Sequence, residues 1–470
     1  MKGCDTDISM SKKILLINPW IHDFAAYDFW IKPLGLLYLG SLLRHNQHHV
    51  ALIDCLDPYH PLMTQSGQKK PKRYPAGDGK FFRQMIPAPP ALNMHPKHYS
   101  RYGILPDIFI SDLKRNRDAD MVLITSMMTY WYPGVFEAIR ILKDVLPGIP
   151  IVLGGKYATL CHDHAVKFSG ADYVIAGAGE QQIVDLMKKL FGEDPSFLPD
   201  HRNLDSFPYP AFDLSDKIEH LPIMTSRGCP FRCSYCASHL FNHSFRRRDP
   251  IKVADEIEHW QNKYGVTHFT FYDDALLVRP DEMIVPLLNE LNKRRVTCQF
   301  HCPNGLHLRE ITREMALLLH RSGFKTIRFG FETSDFNQQV KTGGKVKNDE
   351  LRQAVMHLKN AGYQSRELGI YLLCGMPGQR AREVIDSIAF VQECGARPLL
   401  AEYSPIPGTE MWDQAVACSP FDILHEPLYH NNSLLPCRND DFSMEVYMDL
   451  KRKLNASNQQ VDRHERRGLV

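Results

Sequence analysis

Three of the twelve cysteines are packed into one short segment, SRGCPFRCSYCAS, in which Cys229, Cys233 and Cys236 form a C-x3-C-x2-C pattern. Gly228 and Pro230 oppose a regular helix at this place, so the segment is expected to be a loop that wraps around a ligand. The first residues, MKGCDTDISMSKK, show no apolar run of the kind found in secretory signals, so we expect reducing surroundings, and the other nine cysteines are scattered. This usage favours reduced thiols that bind a metal over a disulfide framework.

The number of cysteines in this loop discriminates among metal centres. Structural zinc takes four protein ligands and catalytic zinc relies mostly on His or carboxylate ligands, so three thiolates fit neither arrangement well. A 4Fe–4S cluster has four iron corners and thiolates are its usual ligands, so three cysteines would leave one iron free to bind another molecule. A zinc site that borrows His239 or His243, or three unligated thiols, are the alternatives.

After the cysteines, short apolar strands alternate with amphipathic helices, which predicts parallel β/α units. Six such units, from Leu221 to about residue 410, would make an incomplete (β/α)6 barrel of the TIM type. Chemistry in parallel barrels lies at the carboxyl ends of the strands. The residues expected at those ends are Asp273 and Asp274 after the second strand, Asn304 after the third, Glu332 after the fourth, and Gly375, Met376, Pro377 and Gly378 after the fifth.

The amino-terminal half, from about residue 12 to 195, shows a second α/β pattern with five near-continuous apolar strands. Such strands indicate a doubly wound, Rossmann-like parallel sheet that is buried on both faces, and ligands of these sheets lie beyond the strand carboxyl ends. Residues 57–106 interrupt the pattern and are expected to form an irregular insertion. The residues expected at the strand ends are Asn18, Ser126, Met127, Gly154, Gly155, Gly177, Gly179 and Glu180.

The C-x3-C-x2-C pattern, with Tyr235 just before its last cysteine, resembles the signature of the radical S-adenosylmethionine (SAM) superfamily. The resemblance implies a 4Fe–4S cluster whose open iron binds the amino and carboxylate groups of SAM. It further implies that Asp273 or Asp274 meets the SAM amino group and that Asn304 and Glu332 bind ribose or substrate. The turn at Gly375 and Pro377 would approach adenine.

An open α/β domain followed by such a barrel resembles the cobalamin-binding subgroup of this superfamily, across about residues 14–409. The segments VLGGKYAT and IAGAGE are similar to the strand-end loops of that subgroup, which implies cobalamin near Ser126, Gly154, Gly155, Gly179 and Glu180. The D-x-H-x-x-G motif, which supplies an axial histidine in cobalamin mutases, is absent. Cobalamin without a protein axial ligand, or a domain that no longer binds it, are therefore the two options.

The remaining segments complete the expected domain organisation. Residues 196–220 resemble a proline-rich linker, and residues 411–470 form a carboxyl-terminal extension with a disordered basic tail. The formal charge is +2, from 56 Lys and Arg against 54 Asp and Glu, so nucleic acid is not expected as a partner. No uncharged apolar run is long enough to cross a bilayer, and the chain is expected to be cytoplasmic.

These observations, together with the resemblance, predict a radical SAM enzyme that acts as a cobalamin-dependent methyltransferase. The expected partners are a small-molecule or lipid-like organic substrate and an external one-electron reductant of the flavodoxin or ferredoxin type. A non-methylating radical enzyme is the main alternative, as a cyclase, a ring-contracting enzyme or a methylthiotransferase-like protein. A non-catalytic protein that binds corrinoid or an iron–sulfur centre is a further alternative.

Overall fold

The protein divides into two compact units in the computed structural model, which describes residues 11–93 and 95–467, with side chains described up to residue 461. The first unit comprises the chain up to residue 74 together with residues 78–217. The second comprises residues 75–77 and the chain from residue 218 onward.

The strands of the first unit are β1 (Lys13–Asn18), β2 (Ile21–Asp23), β3 (His49–Asp54), β4 (Arg83–Met85), β5 (Ser100–Tyr102), β6 (Met121–Ile124), β7 (Ile151–Leu153) and β8 (Tyr173–Val174). Five of these strands give the unit a parallel sheet in the order β3-β1-β6-β7-β8. Its helices are α1 (Leu34–His45), α2 (Pro61–Gln65), α3 (Pro106–Arg115), α4 (Tyr132–Val145), α5 (Lys156–Leu160), α6 (His162–Phe168) and α7 (Glu180–Phe191). Short 3₁₀ turns occupy Pro90–Leu92, Thr129–Trp131, Leu204–Ser206 and Phe212–Leu214.

Strand β1 shows why this sheet is buried on both faces. Leu15 and Ile17 enter one hydrophobic cluster, which includes residues of α3 and α4. Ile14 and Leu16 point the other way into a second cluster, which includes residues of α1 and α7. Successive strand residues face opposite sides, so an all-apolar strand requires helices on both. The predicted doubly wound sheet is confirmed.

The insertion at residues 57–106 is more regular than the expected irregular excursion. Strands β4 and β5 form a three-stranded antiparallel sheet with β2, in the order β2-β5-β4. Phe81, Phe82 and Tyr102 are buried. The expectation of irregularity was wrong here because strands of three residues leave almost no periodic signal, whereas buried aromatic side chains stabilise the segment, Tyr102 from β5 and Phe81 and Phe82 from the residues just before β4.

The segment expected to be a linker also packs against its own unit. Ser41 of α1 donates to the carbonyl of Tyr209, and the amide of Ala211 donates to the carbonyl of Leu37 at 3.1 Å. Ala211 and Phe212 are almost completely buried. Residues 196–217 therefore belong to the first unit rather than forming a free connection.

The strands of the second unit are β9 (Leu221–Ile223), β10 (Ser226–Arg227), β11 (Arg246–Arg247), β12 (His268–Phe271), β13 (Gln299–Leu306), β14 (Phe324–Glu332), β15 (Leu368–Cys374) and β16 (Arg397–Glu402). Six of these strands give the unit a parallel sheet in chain order, with β9, β12, β13, β14, β15 and β16 as successive neighbours. Its helices are α8 (Ser238–Phe241), α9 (Pro250–Tyr264), α10 (Ile284–Lys293), α11 (Arg313–Arg321), α12 (Phe336–Lys341), α13 (Asn348–Asn360), α14 (Ala381–Glu393), α15 (Trp412–Cys418) and α16 (Met444–Arg467). Short 3₁₀ turns occupy Pro280–Glu282, Leu308–Glu310, Ser365–Glu367, Pro427–His430 and Asn432–Leu434.

The apolar face of these strands packs outward against the helices. Phe331 of β14 stacks on Phe390 of α14 with ring centroids 5.8 Å apart. Cys374 of β15 lies in one hydrophobic cluster with Val384 of the same helix. Six parallel strands in chain order, each crossing over through helical segments, form the predicted partial (β/α)6 barrel.

The carboxyl-terminal segment is a helix rather than the expected disordered tail as far as Arg467, and residues 468–470 lie outside the described residues. Tyr447, Leu454 and Asn458 are buried along one side of α16, and the Asn458 amide donates to the carbonyl of Pro398 at 3.1 Å. The composition of the tail is polar, but a few buried residues at helical spacing dock it. No helix within the described ranges is both long and apolar enough to span a membrane.

We predict that Leu454→Ala lowers the stability of the second unit by about 2–5 kcal/mol, because the change deletes a buried side chain at the interface between α16 and the barrel. The measurement is the apparent unfolding midpoint in urea or on heating. Lys453→Ala is the matched control, since Lys453 is exposed on the same helix. Equal midpoints for the two variants would contradict the docking of α16.

Candidate active site

The cysteine loop runs from β10 to α8, and Cys229, Cys233 and Cys236 are all partly buried in it. Gly228 has φ +87°, and a Cβ at this position would lie 2.8 Å from the Ser244 carbonyl oxygen. Only glycine satisfies both constraints without strain, so the chain turns into the loop at this residue.

The three thiols lie close enough to influence one another, and all three share Lys345 as a positive neighbour. Burial raises the pKa of each thiol, that of Cys229 to about 11, and Lys345 opposes this rise. Lys345 reaches the loop because a Cβ on Gly343 would lie only 3.2 Å from Cys233 Cα. The Gly343-Gly344-Lys345 turn therefore packs directly on the backbone of the cysteine loop.

Among the described residues, no group of three or more His, Cys, Asp or Glu side chains converges tightly enough to hold a single metal ion. A cubane cluster places its cysteine ligands on separate iron atoms, which is a wider arrangement than the ligand shell of one ion. The chemistry of the donor set, three thiols in one loop beside a cation, fits the cluster.

Asp273 follows β12 and is buried, with its carboxylate directed at the segment that leads into the cysteine loop. It accepts hydrogen bonds from the Thr225 amide at 3.0 Å, the Thr225 hydroxyl at 2.8 Å and the Ser226 hydroxyl. Burial raises the pKa of Asp273, and these hydrogen bonds lower it. Its oxygens are thus engaged by the protein and tie β12 to the entry of the loop.

Asp274, the next residue, is exposed and accepts a hydrogen bond from the hydroxyl of Ser238 at the start of α8. Its charge raises the pKa of both Cys229 and Cys236. The two adjacent carboxylates therefore differ in position: Asp273 is internal, whereas Asp274 is exposed beside the thiols.

Glu332 ends β14 and contacts the other side of the loop through a hydrogen bond with the hydroxyl of Tyr235. Its backbone has φ +72°, next to a register shift between Gly330 and Glu332. A left-handed conformation costs a residue with a side chain about 1–3 kcal/mol and often marks a functional position. Burial raises the pKa of Glu332, and Lys345 opposes that rise.

Asn304 lies within β13 rather than after it, because the strand continues to Leu306. Its side chain is exposed, and its amide donates to the carbonyl of Tyr272 at 3.2 Å. Asn304 thus belongs to the same edge of the sheet as Asp273 and Asp274, which come two and three residues after the end of β12.

The turn after β15 is fixed by Gln379, which the sequence reasoning missed. The side-chain oxygen Oε1 of Gln379 accepts hydrogen bonds from the backbone amides of Gly375 at 2.8 Å and Met376 at 3.2 Å. Gly375 has φ +80°, while Pro377 is partly buried. A glutamine four residues after a glycine in a turn is too common a spacing to signal this role.

In the first unit, Ser126 joins two neighbouring strand-end loops. Its hydroxyl donates to the carbonyl of Gly154 at 2.7 Å, and a Cβ on Gly155 would lie 2.2 Å from the Ser126 carbonyl oxygen. Gly154 and Gly177 have open space where a Cβ would be. The edge of the sheet is thus closely packed at Gly155, whereas no neighbouring atom would obstruct a Cβ at Gly154 or Gly177. These strand ends therefore form a cradle that no bulky side chain fills.

The loop after β8 leads into α7. Gly179 is the residue before the helix, and a Cβ there would meet Leu39 of α1 at 3.6 Å. Glu180 is buried in the first turn of α7, where a negative charge is favoured by the helix dipole. Asn18, at the end of β1, donates its amide to Asp54 at 2.7 Å.

Models of two known families match the chain. Residues 223–391 match the radical SAM superfamily, and residues 100–187 match the B12 binding domain. The matched ranges fall on the barrel of the second unit and on the sheet of the first.

Several named proteins are similar over much of the chain. An uncharacterized methyltransferase of Pyrococcus horikoshii is 24% identical over 67% of this chain and 74% of its own. Cytidylyl-2-hydroxyethylphosphonate methyltransferase of Streptomyces wedmorensis is 21% identical over 86% of this chain and 82% of its own. An anaerobic magnesium-protoporphyrin IX monomethyl ester cyclase of Rubrivivax gelatinosus is 25% identical over 58% of this chain and 57% of its own.

Two solved structures share the fold. The radical SAM methyltransferase TsrM from Kitasatospora setae, solved with tryptophan and a SAM analogue, aligns with a TM-score of 0.62 at 16% identity, over 86% of this chain and 77% of its own. The cobalamin-dependent radical SAM enzyme OxsB, solved with aqua-cobalamin and SAM, aligns with a TM-score of 0.57 at 16% identity, over 86% of this chain and 55% of its own.

We predict that Asp273→Ala strongly destabilises the second unit, because each buried donor left without an acceptor costs about 1–3 kcal/mol. Asp274→Ala is the matched control and should change stability by less than about 0.5 kcal/mol, since that carboxylate is exposed. Unfolding midpoints measured without cofactors check both. A stable Asp273→Ala protein would contradict the structural role of this residue.

Proposed function

The chain belongs to the radical SAM superfamily, in the group that also carries a B12-binding domain, and on this premise we propose that it methylates an organic substrate. It is a radical SAM enzyme, and its cofactors are a 4Fe–4S cluster, SAM and cobalamin. The observation that carries the proposal is the cysteine loop at the carboxyl ends of the barrel strands, in a chain that also has the B12-binding sheet.

Cys229, Cys233 and Cys236 would hold the cluster through their thiolates. When bound, the cluster supplies the electron that cleaves SAM and starts radical chemistry. The chain's own part is to keep the loop in place: Asp273 fixes its entry, and Tyr235 is hydrogen-bonded to Glu332. The three thiolates would cover three of the four iron atoms, and the fourth would remain for SAM.

Asp274 and Lys345 are the charged residues best suited to the two ends of the SAM amino acid moiety. Asp274 is exposed beside the thiols, whereas the oxygens of Asp273 already accept hydrogen bonds from Thr225 and Ser226. We therefore assign the ammonium contact to Asp274. Lys345, the shared positive neighbour of the thiols, would face the carboxylate.

The remaining contacts to SAM follow the same strand ends. Asn304 and Glu332 present amide and carboxylate groups suited to ribose hydroxyls. Gly375 and Pro377 form a turn held by Gln379, where the backbone can approach a flat base. These residues would orient SAM rather than take part in its cleavage.

The strand-end loops of the first unit would hold cobalamin. Ser126, Gly154 and Gly155 form a cradle without bulky side chains, and Gly179 and Glu180 begin the neighbouring helix. When bound, cobalamin supplies a methyl group for transfer. Since the D-x-H-x-x-G motif is absent, we infer that cobalamin binds here without the histidine ligand that this motif supplies in cobalamin mutases.

We propose that the substrate is a small-molecule or lipid-like organic compound and that an external one-electron reductant supplies the electron. Methyltransferases are among the similar proteins, which favours methyl transfer as the outcome. A non-methylating radical reaction is the second candidate, because an anaerobic cyclase is 25% identical over 58% of this chain. The mass of the product separates the two, since only methylation adds a carbon.

We predict that Cys229→Ala abolishes both cluster assembly and SAM cleavage. After anaerobic reconstitution, the native chain should hold about four iron atoms and form 5'-deoxyadenosine or S-adenosylhomocysteine with dithionite and SAM. Cys394→Ala is the control, because Cys394 is also partly buried but lies directly after α14, outside the cysteine loop. Absence of both products from a fully iron-loaded native protein would contradict the proposal.

We further predict that Lys345→Gln weakens SAM binding about tenfold or more, since a charge-assisted hydrogen bond contributes about 1.5–3 kcal/mol. The measurement is a titration of the reconstituted protein with SAM, monitored through the absorption spectrum of the cluster. Lys347→Gln serves as the control, because Lys347 is exposed two residues away. Equal affinities for the two variants would remove Lys345 from the SAM site.

A further inference from the structure

The surface beside the cysteine loop combines exposed apolar side chains with an excess of positive charge. Phe336 and Val340 are one helical turn apart on α12, and their side chains are 68% and 61% exposed. Isolated exposed apolar residues are ordinary, but a pair on one helix beside a buried functional loop marks a candidate contact surface.

This helix leads directly to the cysteine loop. The amide of Gly343 donates to the carbonyl of Val340 at 3.2 Å, which continues the last turn of α12. A Cβ on Gly343 would lie 3.2 Å from Cys233 Cα and 3.3 Å from the Arg232 carbonyl oxygen. The exposed face of α12 is therefore about one helical turn from the backbone that carries a cluster ligand.

The charge around this face has one predominant sign. Residues 336–347 contain three lysines and no acidic residue, Asp335 directly precedes the helix, and Arg232 lies on the adjoining cysteine loop. Arg232, Lys341 and Lys347 are exposed and form no ion pair with any residue that the structure describes. Nearby, Glu350 binds Arg309 at 2.9 Å, and Asp349 is exposed.

We propose that Phe336, Val340 and Lys341, together with Arg232 and Lys347, form the docking surface for an acidic flavodoxin-type electron carrier. This inference rests on the proposed function, because the electron would go to a cluster held in the cysteine loop. The carrier's flavin loses one electron and the cluster gains it. Electron transfer slows steeply with distance, so the carrier gains from binding where the cysteine loop is nearest.

The physical design resembles that of other transient interfaces, with an apolar centre and a charged rim. Phe336 and Val340 supply the apolar contact, and the cations around them attract carboxylates on the carrier. Rim charges act mainly on the association rate and are screened by salt, with a Debye length of about 8 Å at physiological ionic strength. Binding should therefore weaken as salt is added.

The test is a binding titration of the reconstituted full-length enzyme with oxidised flavodoxin at low and high salt. The variant F336S/V340S/K341E should raise the dissociation constant at least about tenfold. The control V166S/K167E/F168S changes the same three residue types, all exposed on α6, and should bind as the native chain does. Equal binding by both variants would overturn the proposal.

A second readout is carbodiimide cross-linking, which joins carrier carboxylates to enzyme amines. Links at Lys341 or Lys347 are expected, and links confined to other lysines would overturn the proposal. If the triple variant fails to fold, K341E alone should still weaken binding and reduce the salt dependence.

Dithionite separates this inference from the proposed function. Both triple variants should cleave SAM with dithionite at the native rate, since dithionite is small and needs no docking surface. Only reduction by flavodoxin should slow in F336S/V340S/K341E. If the native chain fails with dithionite but still binds flavodoxin at α12, the function falls while the docking surface stands.

Discussion

The cysteine loop has no regular backbone of its own, so its shape depends on hydrogen bonds and close packing supplied by the barrel. Asp273 accepts hydrogen bonds from the residues before the loop, and Glu332 is hydrogen-bonded to Tyr235 within it. Asp274 accepts a hydrogen bond from Ser238 after the loop, but it is exposed and contributes little to the stability of the loop. Gly343 packs against Cys233 from a further strand connection. These contacts orient the loop that carries the three thiols, as neighbouring groups do for the ligands of metal centres.

This dependence explains the chemistry of the strand ends. Parallel barrel strands present their carboxyl ends at one edge, so polar side chains that follow different strands reach the same loop. Asp273 contributes by positioning, while Asp274 stays exposed for a ligand. Glu332 combines both features: it is hydrogen-bonded to the loop, and its φ of +72° shows that the fold supports a strained residue there.

Much of this arrangement follows from the sequence, because the signals are local. The three cysteines are adjacent in the chain, and the strand patterns predict both parallel sheets. The role of Asp273 could not be predicted, since an aspartate after a strand reads the same whether it binds a ligand or a buried threonine. Lys345 was missed because it is more than a hundred residues from Cys229 along the chain, and only the approach of Gly343 brings it close.

The helical tail and the small antiparallel sheet were mispredicted for a related reason. Their stability comes from contacts distant in sequence, such as that of Asn458 with Pro398, rather than from a strong periodic pattern of their own. Weak local signals of this kind are overridden by tertiary packing.

The most direct test of the account is whether SAM binds the iron that lacks a cysteine. Electron–nuclear double resonance on the reduced, reconstituted protein would use SAM labelled with nitrogen-15 in the amine and oxygen-17 in the carboxylate. The account predicts hyperfine coupling of both labels to the cluster. A protein with a full iron and sulfide content and saturating SAM, yet with no coupling from either label, would contradict it.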